Sequence, residues 1–133
     1  MPYLHIQTGI VPTPDQYYNL HRESVRLLTD LLGKRSEVSA VCISTLPAPG
    51  WSVGGEALDA RTCTPVYAEV KITAGTNSTE DKARFIAALH SLFEASLGNL
   101  PEASYIVIQE LAATDWGYHG LTQAARKAAS APL

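Results

Sequence analysis

The chain has 133 residues, of which 46% are hydrophobic and 17% are charged, and its formal net charge is −3. These values favour one compact domain, or two small halves that share a core. They argue against nucleic acid and anionic membranes as partners, and no apolar run is long enough to span a bilayer. With no leader pattern at the start of the chain, we expect a cytoplasmic protein.

The first half of the chain has the pattern of a strand, a helix and a second strand. Residues 3–9 alternate in polarity, as a strand does. Thr13 begins a capping box at the start of a helix, and Gly33 ends that helix. Residues 38–44 form the second strand, and within it Cys42 lies in an apolar run where we expect a buried free thiol.

The second half repeats this pattern. Residues 66–73 form a strand, Ser78 caps a helix that Gly98 ends, and residues 105–111 form another strand. The alanine-rich segment 123–133 is either a loose tail or a short helix.

Landmarks in the two halves are separated by one constant offset of 65 residues. Thr13 and Ser78 cap the helices, Gly33 and Gly98 end them, Trp51 and Trp116 open the turn after the last strand, and Gly55 and Gly120 close it. Four such pairs indicate a tandem duplication. We place repeat one at 2–55, a connector at 56–64, repeat two at 65–122 and a loose tail at 123–133, all within a single domain, 1–133.

The duplication predicts an α+β fold built from a tandem β-α-β repeat. Its four-stranded sheet has parallel strands within each repeat and two helices on one face. The other face of the sheet has no further element of this chain to cover it, so we expect self-association to bury it.

The chain begins Met1-Pro2, and a small second residue favours removal of Met1. Pro2 would then carry a free secondary amine. An ordinary α-amino group titrates near ~7.7–8.0, and burial lowers that pKa, so a buried N-terminal proline can act as a general base at neutral pH. The plainer alternative is a proline that only begins a strand, and if Met1 stays attached Pro2 is an inert tertiary amide.

This doubled β-α-β repeat, with Pro2 after Met1, resembles the tautomerase superfamily over nearly the whole chain. The first half is similar to the 4-oxalocrotonate tautomerase pattern, from Pro2 to Trp51-Ser52-Val53-Gly54-Gly55. The overall length, Gly33-Lys34, Tyr105 and Trp116-Gly117-Tyr118 are similar to macrophage migration inhibitory factor and its bacterial relatives. The resemblance implies a homotrimer and proton transfer by Pro2 without a metal or a cofactor.

The resemblance also implies roles for five further residues. It places Lys34 on a pocket lysine, Tyr105 on a pocket tyrosine contributed by a neighbouring chain, Trp116 and Tyr118 on an apolar pocket wall, and Trp51 on the pocket aromatic of the oxalocrotonate branch. Plainer alternatives exist for two of them. Lys34 can simply complement the negative end of its helix, and Tyr105 can be a rim aromatic.

The departures from the family pattern bear on the substrate. Pro12 and Ala40 occupy the positions of the arginines that hold a dicarboxylate in the oxalocrotonate branch, and 73–77 lacks the arginines of the malonate semialdehyde decarboxylase branch. We therefore expect keto–enol tautomerisation of a small 2-oxo acid with an apolar tail. Pro2 would be the general base, Lys34 would hold the carboxylate, and Tyr105 would stabilise the enolate oxygen.

Three alternatives remain open. One is a hydratase, dehalogenase or decarboxylase of a short unsaturated or 3-oxo acid within the same superfamily. Another is a non-catalytic trimeric binding protein that has kept the fold, which the missing arginines favour. The last is an unrelated ferredoxin-like ligand-binding domain, in which Pro2 would be incidental.

Overall fold

A computed structural model of the protein describes residues 1–130. In chain order its strands are β1 (Tyr3–Thr8), β2 (Ala40–Thr45), β3 (Ser52–Val53), β4 (Glu56–Ala57), β5 (Val66–Thr73), β6 (Ile106–Leu111), β7 (Gly117–Tyr118) and β8 (Leu121–Thr122). Its α-helices are α1 (Pro14–Leu32), α2 (Thr79–Leu97) and α3 (Gln123–Ser130).

The central sheet has four strands in the order β2-β1-β5-β6. β1 pairs with β2 in parallel and β5 pairs with β6 in parallel, so each repeat is a parallel β-α-β unit. The two units meet through the antiparallel pair β1 and β5, in which Tyr3 lies opposite Lys71 and Thr8 lies opposite Val66. The predicted α+β fold and the predicted sheet are confirmed.

Both long helices begin with the predicted capping box. The hydroxyl of Thr13 accepts a hydrogen bond from the Gln16 amide at 3.2 Å, and the Gln16 side chain accepts one from the Thr13 amide at 2.8 Å. Ser78 and Asp81 make the same reciprocal pair at the start of α2. Gly33 ends α1 with a φ of 67°, a left-handed conformation that glycine adopts without steric cost.

The hydrophobic core lies between one face of the sheet and the two long helices, which pack against each other. Every second residue of β1 and β5 is buried, as the two-residue period of a strand requires. The fully buried members include Leu4, Ile6, Val70, Ile72, Leu20, Leu28, Phe85, Leu89 and Phe93.

Within residues 1–130 no helix covers the opposite face of the sheet, and that face is largely polar. Tyr3 is 40% exposed, and His5 contacts Ser44 across the strands, with 2.6 Å between the imidazole Nε2 and the hydroxyl. Cys42 is also on this face and is exposed, so the expected buried thiol was wrong. Alternation along β2 turns Val41 and Ile43 toward the helices and Cys42 away from them.

The structure also refines the predicted boundaries. A 3₁₀ turn over Ser36–Val38 delays the start of β2 to Ala40. Glu56–Ala57, expected to be connector, pairs with β3 as a hairpin. For the C-terminal segment the helical alternative holds over Gln123–Ser130, and 131–133 lie outside the described residues. None of the helices within 1–130 has both the length and the apolarity to cross a membrane.

Neighbouring residues of α2 provide a test of where the core lies. Phe85 is fully buried, whereas Ile86 is 39% exposed. We expect Phe85→Ala to lower the free energy of unfolding by about 3–5 kcal/mol, because it leaves a cavity in the core. The matched change Ile86→Ala should cost less than about 1 kcal/mol. Urea denaturation of both variants measures the difference, and equal losses would contradict this placement of the core.

Candidate active site

Pro2 lies at the start of β1, with its side chain fully buried. Its carbonyl oxygen accepts a hydrogen bond from the Ala40 amide at 3.2 Å, which ties it to the start of β2. A cavity of about 550 Å³ opens beside it, which we call the Pro2 cavity. Its walls come from Pro2, Val38, Ala40, Lys71, Trp116 and Tyr118, together with Met1, Tyr3, Glu37, Ser39 and Gly117.

Repeat two supplies the aromatic wall of the Pro2 cavity. Trp116 follows β6, and its indole Nε1 donates a hydrogen bond to the Thr73 hydroxyl at 3.1 Å. Tyr118 belongs to β7, which forms a tight hairpin with β8. The two turn residues, His119 and Gly120, both have positive φ, which suits a two-residue hairpin turn. The hairpin therefore holds the expected apolar wall against the start of β1.

Lys34 lies two residues after the end of α1 and is only 8% exposed. Its Nζ donates a hydrogen bond to the Thr76 hydroxyl at 2.9 Å. Burial lowers the pKa of its ammonium group, and the carboxylates of Glu110 and Asp81 partly oppose that effect. Lys34 lines a separate cavity of about 250 Å³, which also reaches Met1.

The terminal amine lies in a cationic environment. The pKa of the Met1 α-amino group is lowered, first by burial and then by the positive charges of Lys34 and Arg35. Met1 lines the Pro2 cavity, the Lys34 cavity and a third cavity of about 530 Å³ bounded by α3. Among the described residues it alone lines all three.

The two other expected site residues lie at the opposite end of the sheet. Tyr105 precedes β6 and is 67% exposed, and the β5–β6 register places it roughly 16 Å along the strands from the Pro2 end. Trp51 follows the far end of β2 and donates its indole N–H to the Leu46 carbonyl at 2.7 Å. One chain thus brings Pro2, Trp116 and Tyr118 to one cavity and Lys34 to a neighbouring cavity that shares Met1. It places Trp51 and Tyr105 far from both.

Sequence reasoning did not single out the cationic and amide side chains that stand near the terminus. Arg35 lines the third cavity, as do Gln123, Arg126 and Lys127 of α3. The signal for the latter three was the spacing of i, i+3 and i+4, which puts them on one face of a helix. The alanine-rich composition of the segment hid that signal.

Comparisons with known proteins agree with this architecture. Residues 67–126 match the family model described as tautomerase enzyme. A fused 4-OT solved as a symmetric trimer has a TM-score of 0.82 at 23% identity, covering 93% of this chain and 98% of that chain. A macrophage migration inhibitory factor-like protein from Entamoeba histolytica has a TM-score of 0.71 at 19% identity, covering 91% of this chain and 97% of that one. None of the curated proteins compared with the chain matches it.

The fold and the arrangement of its elements define a two-repeat β-α-β protein of the tautomerase and migration-inhibitory-factor type. Structural likeness at these identities shows the fold alone. The match of residues 67–126 to the tautomerase family model lies in repeat two and supports membership of the tautomerase superfamily.

The hairpin that carries Tyr118 depends on Gly117. A Cβ at this position would lie 1.9 Å from the Leu121 carbonyl oxygen, so Gly117→Ala must break the β7–β8 pairing. In a Trp51→Phe background, where Trp116 is the only tryptophan, we expect a red shift of its emission and a loss of about 1–3 kcal/mol in stability. Fluorescence and thermal unfolding measure both effects.

Gly50→Ala in the same background is the matched control. Gly50 precedes the other tryptophan position, and a Cβ there would meet only the Leu46 side chain, at an ordinary contact distance of 3.4 Å. This control should leave the emission of Trp116 unchanged. An unaltered spectrum in Gly117→Ala would show that the hairpin does not hold the aromatic wall.

Proposed function

We propose that the protein is a cofactor-independent keto–enol tautomerase of a small 2-oxo acid with an apolar tail, and that Pro2 is its general base after removal of Met1. The observation that carries the proposal is the burial of Pro2 beside a cavity of about 550 Å³ with an aromatic wall. An apolar tail would pack against Trp116 and Tyr118. The family match of repeat two supports the same class of reaction.

The electrostatic environment suits an amine that must be neutral at physiological pH. Burial and the charges of Lys34 and Arg35 already lower the pKa of the Met1 amine. With Met1 removed, the amine of Pro2 would lie one residue further along in the same surroundings, so the same causes would lower its pKa. The sequence-based expectation that Lys34 grips the substrate carboxylate stays a proposal, since its Nζ already donates to Thr76.

The proposed reaction moves one proton between two atoms of the substrate. In ketonisation, the neutral Pro2 amine takes the hydroxyl proton of the enol, which leaves an enolate. The resulting ammonium group then returns a proton to the β-carbon, so the amine ends neutral and the substrate ends as the ketone. Nearby cations would stabilise the charge that develops on the enolate oxygen.

We further propose that the protein acts as a homotrimer. The fused 4-OT that shares the fold was solved as a trimer. Trp51 and Tyr105 lie far from Pro2 in one chain, and Tyr105 is exposed, so a neighbouring chain is the source from which such a side chain could reach the site. The uncovered sheet face offers a surface for that contact. Sedimentation equilibrium gives the number of chains directly.

A second candidate is hydration or dehalogenation of a short unsaturated acid, which needs a carboxylate near Pro2 to activate water. Glu37 lines the Pro2 cavity and is well exposed, with an ion pair to the Nε of Arg35 at 3.5 Å. Its position favours this candidate over the decarboxylase alternative. Glu37→Gln should abolish a hydratase reaction and leave tautomerisation nearly unchanged.

Replacement of Pro2 tests whether it is the base. We expect wild-type protein to accelerate ketonisation of phenylenolpyruvate, followed by ultraviolet absorbance, and Pro2→Ala to reduce kcat/KM roughly 10²–10⁴-fold, as loss of a general base does. Mass spectrometry must show that Met1 is absent from both. Pro14→Ala, which changes an exposed proline at the start of α1, is the control and should keep full activity.

A covalent probe tests the same amine independently. One protein with this fold, Pt0534, was solved after inactivation by 2-oxo-3-pentynoate, at 16% identity and a TM-score of 0.82 over 93% of this chain and 98% of that one. The alkynyl ketone is an electrophile to which a neutral amine adds. We expect one adduct on the Pro2 peptide, formed in step with loss of activity. An adduct on another residue, or activity in fully modified protein, would contradict the assignment of Pro2 as the base.

Removal of a neighbouring charge should shift the pKa of the terminal amine in a defined direction. A positive neighbour disfavours the protonated amine, so removing that neighbour raises the amine pKa. Lys34→Gln should therefore move the pH of half-maximal inactivation by 2-oxo-3-pentynoate upward, by up to roughly one unit. Arg22→Gln, on the exposed surface of α1, should leave the pH of half-maximal inactivation unchanged. A downward shift for Lys34→Gln would contradict the assigned cause.

A further inference from the structure

The third cavity, which we call the α3 cavity, is bounded by the β7–β8 hairpin, by α3 and by the turn after α1. Its volume is about 530 Å³. Arg35, Arg126 and Lys127 line it, and no acidic side chain of residues 1–130 does. Arg35 has only an exposed ion pair with Glu37, and within residues 1–130 neither Arg126 nor Lys127 has a carboxylate partner. The three cations therefore give this space a positive potential, which favours an anion.

Two buried donors in this cavity lack a hydrogen-bond partner. They are the amide Nε2 of Gln123 and the guanidinium Nε of Arg126. Across the described part of the chain only one other buried side-chain atom, the hydroxyl of Ser24 on α1, is in the same state. A buried donor without an acceptor is costly, and the oxygens of an anion are acceptors of the kind that both donors lack.

Arg126 is held in position before any ligand arrives. Its Cζ lies 3.8 Å from the centroid of the Tyr118 ring, and its Nη2 donates to the Tyr118 carbonyl at 2.7 Å. These contacts orient the planar guanidinium group while its Nε–H has no partner. An oriented guanidinium group is the side chain best suited to bind a carboxylate, because its donors match the spacing of the two oxygens.

The α3 cavity adjoins the proposed base. Tyr118, Val38 and Met1 line both this cavity and the Pro2 cavity, so the two spaces share a wall. Met1 lines both spaces, so once it is removed a substrate whose reacting carbons lie beside Pro2 could turn its carboxylate toward Arg126.

We propose that Arg126 and Gln123 of α3, together with Arg35, form the subsite that binds the substrate carboxylate. This inference rests on the proposed function for the identity of its ligand, a 2-oxo monocarboxylate. The α3 subsite takes over the role that the absent arginines at positions 12 and 40 would have had. Lys34 then acts through its charge on the amine, and Arg126 and Gln123 make the direct hydrogen bonds.

The test compares a charged substrate with a neutral one of the same shape. We expect Arg126→Gln to lower kcat/KM for phenylenolpyruvate roughly 10–100-fold, mostly through KM, because a charge-assisted hydrogen bond is lost. For the methyl ester of the same substrate, kcat/KM should change less than about twofold. Equal effects on acid and ester, or no effect on either, would overturn the proposal.

Arg22→Gln is the matched control for that variant. Arg22 also lies over a tyrosine ring, with its Cζ 5.9 Å from the centroid of Tyr18, and it donates to the hydroxyl of that tyrosine at 2.8 Å. Arg22 lies on the exposed face of α1, so its loss should alter kcat/KM for neither substrate.

Loss of Arg126 could also loosen α3, so a second variant is needed. Gln123→Met keeps the bulk of the side chain and the Arg126–Tyr118 contact but removes the amide donor. Gln123→Met should lower kcat/KM for the acid roughly 3–10-fold and leave kcat/KM for the ester unchanged. If kcat/KM for the acid is the same in Gln123→Met as in wild type, the amide of Gln123 is not part of the subsite.

Equilibrium binding separates failure of this inference from failure of the proposed function. If wild-type protein catalyses neither reaction, the tautomerase proposal falls, but the subsite can still be measured by calorimetry with 3-phenylpropanoate and 3-phenylpropanamide. Tighter binding of the carboxylate by wild type, lost in Arg126→Gln, supports the anion subsite. Equal affinities for the two probes in wild type overturn it.

Discussion

The antiparallel pairing of β1 with β5 is the constraint on which the arrangement of the molecule depends. It sets the start of repeat one beside the end of the first strand of repeat two, with Tyr3 opposite Lys71. The segments that follow β6 therefore fold over Pro2 and supply its aromatic wall. A slip of one residue would turn Leu4 and Ile6 out of the core, so the burial of the β1 side chains fixes this register.

Positive charge around the buried terminus serves two purposes that do not conflict. Cations near an amine favour its neutral form, and under the proposed function the same cations would attract an anionic substrate. Burial lowers the pKa of Lys34, and the carboxylates of Glu110 and Asp81 act in the opposite direction. The Thr76 hydroxyl accepts a hydrogen bond from the lysine Nζ. The lysine thus keeps a fixed position close to the amine.

Local signals explain why so much of the fold was predictable from the sequence. Capping boxes depend on residues three positions apart, and the duplicated landmarks reveal themselves by a constant offset. The site was harder, because the resemblance placed both Trp51 and Trp116 at the pocket, each from a different branch of the family. The pairing of the two repeats places these equivalent residues at opposite ends of the sheet, and only the long-range register shows that.

Other features were hidden for similar reasons. The apolar neighbours of Cys42 concealed which face of the strand it occupies. The composition of segment 123–133 left helix and loose tail undecided, because the helix depends on docking. The Ala124 amide donates to the Ala113 carbonyl at 2.8 Å and Arg126 binds Tyr118, and both contacts join parts of the chain that sequence periodicity does not relate.

The near-symmetry of the two repeats is broken by chain connectivity. Tyr67 stands 65 residues after Pro2 and is the second residue of β5, but it is joined to the chain on both sides and has no free amine. Joining two copies end to end thus leaves one end of the sheet with a terminus and converts the other into continuous backbone. Under the proposed function each chain therefore has one catalytic end of its sheet, and the Tyr67 end has no base to offer.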